Sequence, residues 1–224
     1  MEQFFTNAFS NLNAEEKESF FRSVIMSDPA PYAEKLRKEY YASAFKNMGE
    51  NVKIGANVKI VNPEYISVGD NTQIGNDATL IARGEGGITL GNNVLIQERV
   101  YLDTQTAEWG YITVGDNTYI GTGTTLFGHV GLEIGNYCLL AQNITLTPYS
   151  HKFQNPSDYI VNQGGNMKKV TIGDDVYIGM GVNVTYLGNI GKGSVIGAGS
   201  TVVKEIPPYS VAVGVPAKVI KERK

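Results

Sequence analysis

From residue 54 onward the chain keeps returning to an aliphatic residue followed by glycine: Ile54-Gly55, Val68-Gly69, Ile74-Gly75, Leu90-Gly91, Val114-Gly115, Ile120-Gly121, Ile134-Gly135, Ile172-Gly173, Ile178-Gly179, Ile190-Gly191 and Ile196-Gly197. Within each group the apolar anchors stand six apart, at 68, 74 and 80, then 90, 96 and 102, 114, 120 and 126, 134, 140 and 146, 172, 178 and 184, and 190, 196 and 202. Three sixes make a turn of eighteen residues, and the excess between successive groups measures the insertions: 4, 6, 2, 20 and 0 residues. Such a repeat is read before individual helices and strands are assigned.

The hexapeptide period predicts a solenoid of triangular cross-section, a parallel β-helix. Each side is a short strand, each anchor points into a narrow shared core, and the coils stack by parallel ladder bonds. The second inward position, four residues after the anchor, must be slim; Thr72, Ala78, Val94, Val100, Thr118, Thr124, Cys138, Ile144, Val176, Val182, Ser194 and Ser200 fill it. Gly-Asp-Asn and Gly-Asn-Asn, as at 69–71, 91–93 and 115–117, suit sharp corners and left-handed backbone angles. The β-helix is expected over 51–203, with an extruded loop at 148–169.

Residues 1–50 lack the period and are expected to form an N-terminal helical extension. Asn13 with Glu16 reads as a capping box opening a short helix through Phe20, Phe21, Val24 and Ile25. Asp28 and the prolines at 29 and 31 start a second helix carrying Tyr32, Leu36, Tyr40, Ala44 and Phe45 on one apolar face, with Gly49 near its end. That face suits a cap over the first coil; shaping an acceptor pocket and membrane-surface association are the alternatives. The segment 204–224 is expected to leave the repeat through Pro207-Pro208 and close the other end, because exposed ladders invite pairing.

Composition narrows the function. Glycine is 26 of 224 residues, in keeping with the corners, and the formal charge is −3 with 18% charged residues, which argues against an electrostatic nucleic-acid surface. No stretch reaches the roughly 20 apolar residues of a transmembrane helix, and the start Met1-Glu2-Gln3 lacks a processing pattern, so a cytoplasmic location is expected. The only cysteine, Cys138, excludes an internal disulfide, and its register turns it inward, which makes an acyl-cysteine mechanism unfavourable.

The run from Ile190 through Gly193-Ser194-Val195-Ile196-Gly197-Ala198-Gly199-Ser200 to Ile206-Pro207-Pro208, followed by Val213-Gly214-Val215-Pro216-Ala217-Lys218, resembles the hexapeptide-repeat acyltransferase superfamily. The resemblance covers about 50–222, and the ending is similar to its sugar O-acetyltransferase branch, which includes maltose, galactoside, capsule and lipopolysaccharide acetyltransferases. It implies a left-handed parallel β-helix, whereas general connection rules alone favour a right-handed crossover. It also implies acetyl coenzyme A as donor, no catalytic metal, and a homotrimer with the donor in a groove between adjacent β-helices.

Two histidines carry the candidate chemistry. His129 follows Leu126 by three residues and His151 follows Leu146 by five, one coil later, where ladder spacing of about 4.8 Å lets one edge hold both rings. The long excursion starts there, and loops of that length are usually functional or disordered. In the resembled family a histidine at the start of such a loop is the general base, and Thr145-Leu146-Thr147-Pro148-Tyr149-Ser150-His151 matches that placement. The resemblance therefore implies direct acetyl transfer in a ternary complex: His151 removes the acceptor's proton, the oxygen attacks the thioester carbonyl, and a backbone amide stabilises the oxyanion.

Backbone groups near Gly179, Ala198 and Gly199 are expected donor contacts, with Lys204 and Lys218 near the phosphates or simply on a solvated surface. The maltose and galactoside enzymes have an acceptor-orienting asparagine near this coil, but the stretch Gly121-Thr122-Gly123-Thr124-Thr125-Leu126 has none. This leaves His129 as a substrate contact or as a surface hydrogen-bonding group. Tyr149, Phe153 and Tyr159 are expected to line an open site for a saccharide or glycan precursor. Alternatives are a sugar-nucleotide N-acetyltransferase, another acyltransferase, a metal enzyme of the carbonic-anhydrase kind, which needs three histidines, and a non-enzymatic scaffold.

Overall fold

Each group of anchors forms three short strands, and the stacked groups build three parallel sheets around one continuous core. In the computed structural model, which describes residues 10–224, the first sheet includes Ile66–Val68, Ile88–Leu90, Ile112–Val114, Leu132–Ile134 and Val170–Ile172. The second sheet includes Gln73–Ile74, Leu95–Ile96, Tyr119–Ile120, Leu139–Leu140, Tyr177–Ile178 and Val195–Ile196. The third includes Thr79–Ile81, Tyr101–Asp103, Thr125–Phe127, Thr145–Leu146, Asn183–Val184 and Thr201–Val202. Register follows the anchors: Val68 faces Leu90, Leu90 faces Val114, Val114 faces Ile134, Ile134 faces Ile172, and Ile172 bridges Ile190. The parallel β-solenoid expected from the period is the fold.

The slim inward positions satisfy backbone as well as volume. Thr72 donates to Gly91 O at 2.7 Å and accepts from Val94 N at 3.0 Å; Thr118 does the same with Gly135 O and Cys138 N. At the corner between the first and second sheets, each Asp or Asn after the glycine accepts from an amide of the preceding coil, from Glu50 N to Asp70 through Asn136 N to Asp174. Cys138 is buried at 2% exposure, and burial pushes its thiol up to about 11.

Every insertion falls at one corner, where the chain passes from the third sheet back to the first: after Val61, Ile81, Asp103, Phe127 and Leu146. The other two corners keep the six-residue spacing because inward packing on both sides leaves no slack there. One edge of the prism is thus free to carry loops, and both histidines lie on it.

The solenoid starts earlier than its clearest anchors. Asn47–Met48, Lys53–Ile54 and Lys59–Val61 form a first coil paired with Ser67–Val68, Gln73–Ile74 and Thr79–Ile81. Gly49 therefore does not end a helix. It turns a corner so close to the next coil that a Cβ would collide with Asp70.

Of the N-terminal extension, residues 1–9 lie outside the described residues. Helix α1 (Ala14–Phe20) carries the expected capping box, with Asn13 and Glu16 exchanging side-chain bonds at 2.9 Å, and a π-turn follows at Phe21–Ile25. Helix α2 (Pro31–Ala42) buries Ala33, Arg37 and Tyr41, whereas Tyr32, Leu36 and Tyr40 remain exposed. The inward stripe is thus one position away from the expected apolar face. Arg37 accounts for the shift: its guanidinium is 2% exposed and donates to three carbonyls, Ile54 O at 2.9 Å and Ile25 O and Asp28 O at 2.6 Å.

At the other end the repeat continues past Pro207-Pro208 instead of leaving there. Ile206 bridges Ile190, Ser210–Val213 joins the second sheet in parallel, and Lys218–Glu222 folds back antiparallel on it. Among the described residues no helix is long and apolar enough to cross a membrane.

Candidate active site

The loop-bearing corner is organised around a column of five rings. Tyr101 meets Phe127 at 6.1 Å, Phe127 meets His129 at 5.9 Å, His129 stacks on Tyr149 at 5.0 Å and 11°, and Tyr149 meets His151 edge-on at 4.9 Å and 89°. Tyr101 pairs with Thr125 in register, so the column climbs the coils as the ladder does. Pairs of this kind are worth about 0.5–1.5 kcal/mol each beyond burial.

The column is rooted in a carboxylate. Asp103 is fully buried and accepts from Arg83 Nε at 2.8 Å, Arg83 Nη2 at 2.7 Å, Gln105 N at 2.7 Å and Tyr101 OH at 3.0 Å. Burial alone would raise its pKa, but these bonds outweigh it and hold the carboxyl below its ordinary value. Its register neighbours are Ile81 and Phe127, and that acid in an apolar column was the sequence signal for a site residue that the period alone did not single out.

His129 is the hinge of the column. Thr106 Oγ1 holds its carbonyl at 2.6 Å, while its Nδ1 is buried without a hydrogen-bond partner among the described residues. Burial lowers its pKa and the charge of Asp103 pulls the other way, with burial prevailing, so the neutral ring is favoured.

The long excursion is a hairpin at its base. Tyr149–His151 pairs antiparallel with Gly165–Met167, setting His151 opposite Gly165, and a 3₁₀ turn covers Ile160–Asn162. His151 is exposed, and its Nδ1 lies 3.1 Å from the Tyr149 hydroxyl. Phe153 and Tyr159, at 64% and 81% exposure, stand farther along the loop and do not join the column.

The loop returns through Lys169, whose Nζ lies 3.0 and 3.1 Å from the carboxylate oxygens of Glu133, and Tyr111 OH donates to the same carboxylate at 2.6 Å. These bonds hold the Glu133 carboxyl below its ordinary 4.5, and burial with the Glu133 bond pushes Tyr111 up to about 12. A carboxyl whose pKa is depressed by folding contributes stability above its unfolded value and loses it as pH falls through the folded one. The base of the loop should therefore open to limited proteolysis or hydrogen exchange as pH drops below about 4.5. Glu133→Gln should remove much of that acid sensitivity; identical acid opening in wild type and E133Q would disprove the link.

The expected donor contacts lie at separate places. Gly179, Ala198 and Gly199 stack at the corner between the second and third sheets, one full face of the prism away from His151. The amides of Gly179 and Gly199 are committed to Ile196 O and Met180 O, while Ala198 N donates to no acceptor among the described residues. Lys204 is on the His151 corner two coils on, and Lys218 opens the terminal strand. Among the described residues no group of three or more His, Cys, Asp and Glu side chains is placed to hold a metal ion.

A sequence profile described as "Hexapeptide repeat of succinyl-transferase" matches residues 65–103 and 111–148. The galactoside O-acetyltransferase of Escherichia coli K12 is 43% identical over 93 residues, 41% of this chain and 44% of that protein. The dTDP-4-amino-4,6-dideoxy-D-glucose acyltransferase of Escherichia coli is 31% identical over 187 residues, 80% of this chain and 83% of that one. A crystallised variant of AntD, an N-acyltransferase from Bacillus cereus in complex with dTDP and coenzyme A, superposes with a TM-score of 0.61 at 25% identity, covering 84% of this chain and 89% of that one. The chain belongs to the hexapeptide-repeat acyltransferases. It spans less than half the length of several other curated relatives, 44% of the galactoside enzyme among them.

Proposed function

We propose that the protein is an acetyl-CoA-dependent acetyltransferase acting in the cytoplasm on a hydroxyl of a saccharide or glycan precursor, with His151 as general base. The observation that carries this reading is the exposed imidazole of His151 at the base of the hairpin loop, supported by the ring column and next to loops from four coils. Nε2 of His151 takes the proton of the acceptor hydroxyl as its oxygen attacks the thioester carbonyl; the proton then passes to the departing thiolate. Ala198 N, one face of the prism away from His151, is the amide of the expected donor set left free for a hydrogen bond to coenzyme A. His129 is the further candidate contact for the acceptor; its Nδ1 has almost no surface, so a hydroxyl would meet the half-buried ring at Nε2. The buried, unactivated thiol of Cys138 favours direct transfer over an acyl-enzyme.

The amino-sugar acyltransferase and AntD supply a specific ground for a second reading, N-acylation of a nucleotide-linked amino sugar. A panel of neutral sugars, glycan precursors and nucleotide amino sugars, with NMR of the acetyl linkage, decides between them. Ester products support the hydroxyl reading, and amide products with no ester overturn it. An inert panel with no binding of coenzyme A would favour a scaffold.

The reading includes a homotrimer, and the outward columns of the three faces suggest how it associates. On the second face successive coils present Lys53, Gln73, Leu95, Tyr119, Leu139, Tyr177, Val195 and Val211 in register, apolar for the last six. On the first face the column is Ser67, Thr89, Thr113, Glu133 and Thr171, which water solvates well. A closed threefold assembly would cover the apolar column without leaving an open filament. Leu139→Glu with Tyr177→Lys should convert the trimer to folded monomer, read as mass in solution. A variant that keeps the trimer would exclude this face, and a monomeric, fully active wild type would exclude the assembly.

A further inference from the structure

We infer that Tyr149 is a positioning residue: its phenolic oxygen accepts a hydrogen bond from Nδ1–H of His151 and so selects the imidazole tautomer whose Nε2 is free to take a proton. The inference rests on the reading of His151 as base and adds the residue that prepares it.

A neutral imidazole carries one N–H, and only one of its two tautomers can serve as a base at Nε2. If the tyrosine donated to Nδ1, the proton would sit on Nε2 and the base would be blocked. With the bond running from Nδ1–H to the phenol, Nε2 keeps its lone pair. When Nε2 takes the acceptor's proton, Nδ1–H stays in place and its bond to Tyr149 strengthens because the donor is now charged.

The geometry is built for this contact. Residues two apart on a strand project to the same side, which brings Tyr149 and His151 together, with hydroxyl and Nδ1 3.1 Å apart. The His151 ring has no other hydrogen-bond partner among the described residues, so without the phenol it would be free to turn. Tyr149 is itself held from two directions. Its face lies on His129, and its outer edge lies against Gly165, where a Cβ would collide with Cε2 of the ring. Glycine at 165, opposite His151 in the hairpin, is required by this close approach and not by a left-handed backbone, since its φ is not positive. His129 thereby acquires a second role, as the neutral platform on which the positioning ring rests.

The chain has two histidines, so long-range proton–nitrogen NMR of the full-length protein labelled on histidine nitrogen reads both, and a His129→Gln variant assigns them. The expected wild-type result is a His151 ring protonated on Nδ1 and bare on Nε2. Tyr149→Phe, which keeps the ring stack and removes the oxygen, should abolish that preference. It should also lower kcat about three- to tenfold, the size of one neutral hydrogen bond, with KM for acetyl-CoA unchanged. Gly165→Ala, which keeps the phenol but pushes the ring aside, should produce the same tautomer change. A wild-type proton on Nε2, or one tautomer distribution shared by wild type and Y149F, would overturn the inference. Turnover by His151→Ala separates the two levels: an active H151A removes the base itself, whereas an inactive H151A with an unaltered tautomer in Y149F removes only the role of Tyr149.

Discussion

His151→Ala is expected to lower the acetyl-transfer step by about 10²–10⁴ while leaving coenzyme A affinity nearly unchanged. The side chain is exposed and outside the core, so the truncation should not disturb the solenoid. What it removes is the exposed imidazole of the loop corner; His129 is half-buried in the ring column, between Phe127 and Tyr149. Single-turnover kinetics with the identified acceptor, alongside calorimetric binding of coenzyme A, provides the measurement. Near-normal turnover by folded H151A would end the assignment.

Arg37→Met is expected to cost about 3 kcal/mol of stability, concentrated at the N-terminal cap. Methionine keeps much of the volume but leaves the carbonyls of Ile25, Asp28 and Ile54 without their donor in a site that solvent hardly reaches. Those carbonyls belong to the turn after α1, the approach to α2 and the first coil, so one side chain joins all three. Burial lowers the pKa of the guanidinium while Glu34, Asp28 and Tyr41 oppose that shift. Urea unfolding should show a lowered midpoint, and hydrogen exchange should quicken first at the amides of Lys53–Ile54 and Lys59–Val61. An unchanged midpoint would mean that packing of Ala33, Tyr41 and Phe45 alone holds the cap.

The coil register was legible because a solenoid with a narrow core tolerates no shift of its inward residues. Ile120 must lie between Ile96 and Leu140, and the spacing states it. The capping box of α1 was legible for a similar reason, being a bond between residues three apart. The inward face of α2 was not, because counting apolar residues selects Tyr32, Leu36 and Tyr40 and passes over an arginine whose partners lie up to 17 residues away. Nor did the period single out Asp103, whose donors come from an adjacent coil and from its own turn.

By itself the sequence determined the period, the number of coils between the two histidines and the corner from which the long loop springs, since these follow from short-range spacing and the steric demands of a triangular core. Only the tertiary structure decided which rings touch. His129 and Tyr149 are neighbours because coil stacking superposes the ends of successive third-sheet strands, and Tyr149 reaches His151 because Gly165 on the returning strand leaves room for its ring. The stack of His129 on Tyr149 joins residues 20 positions apart and the fit of Gly165 against the ring joins residues 16 apart, and no local preference of the chain encodes them before the coils close.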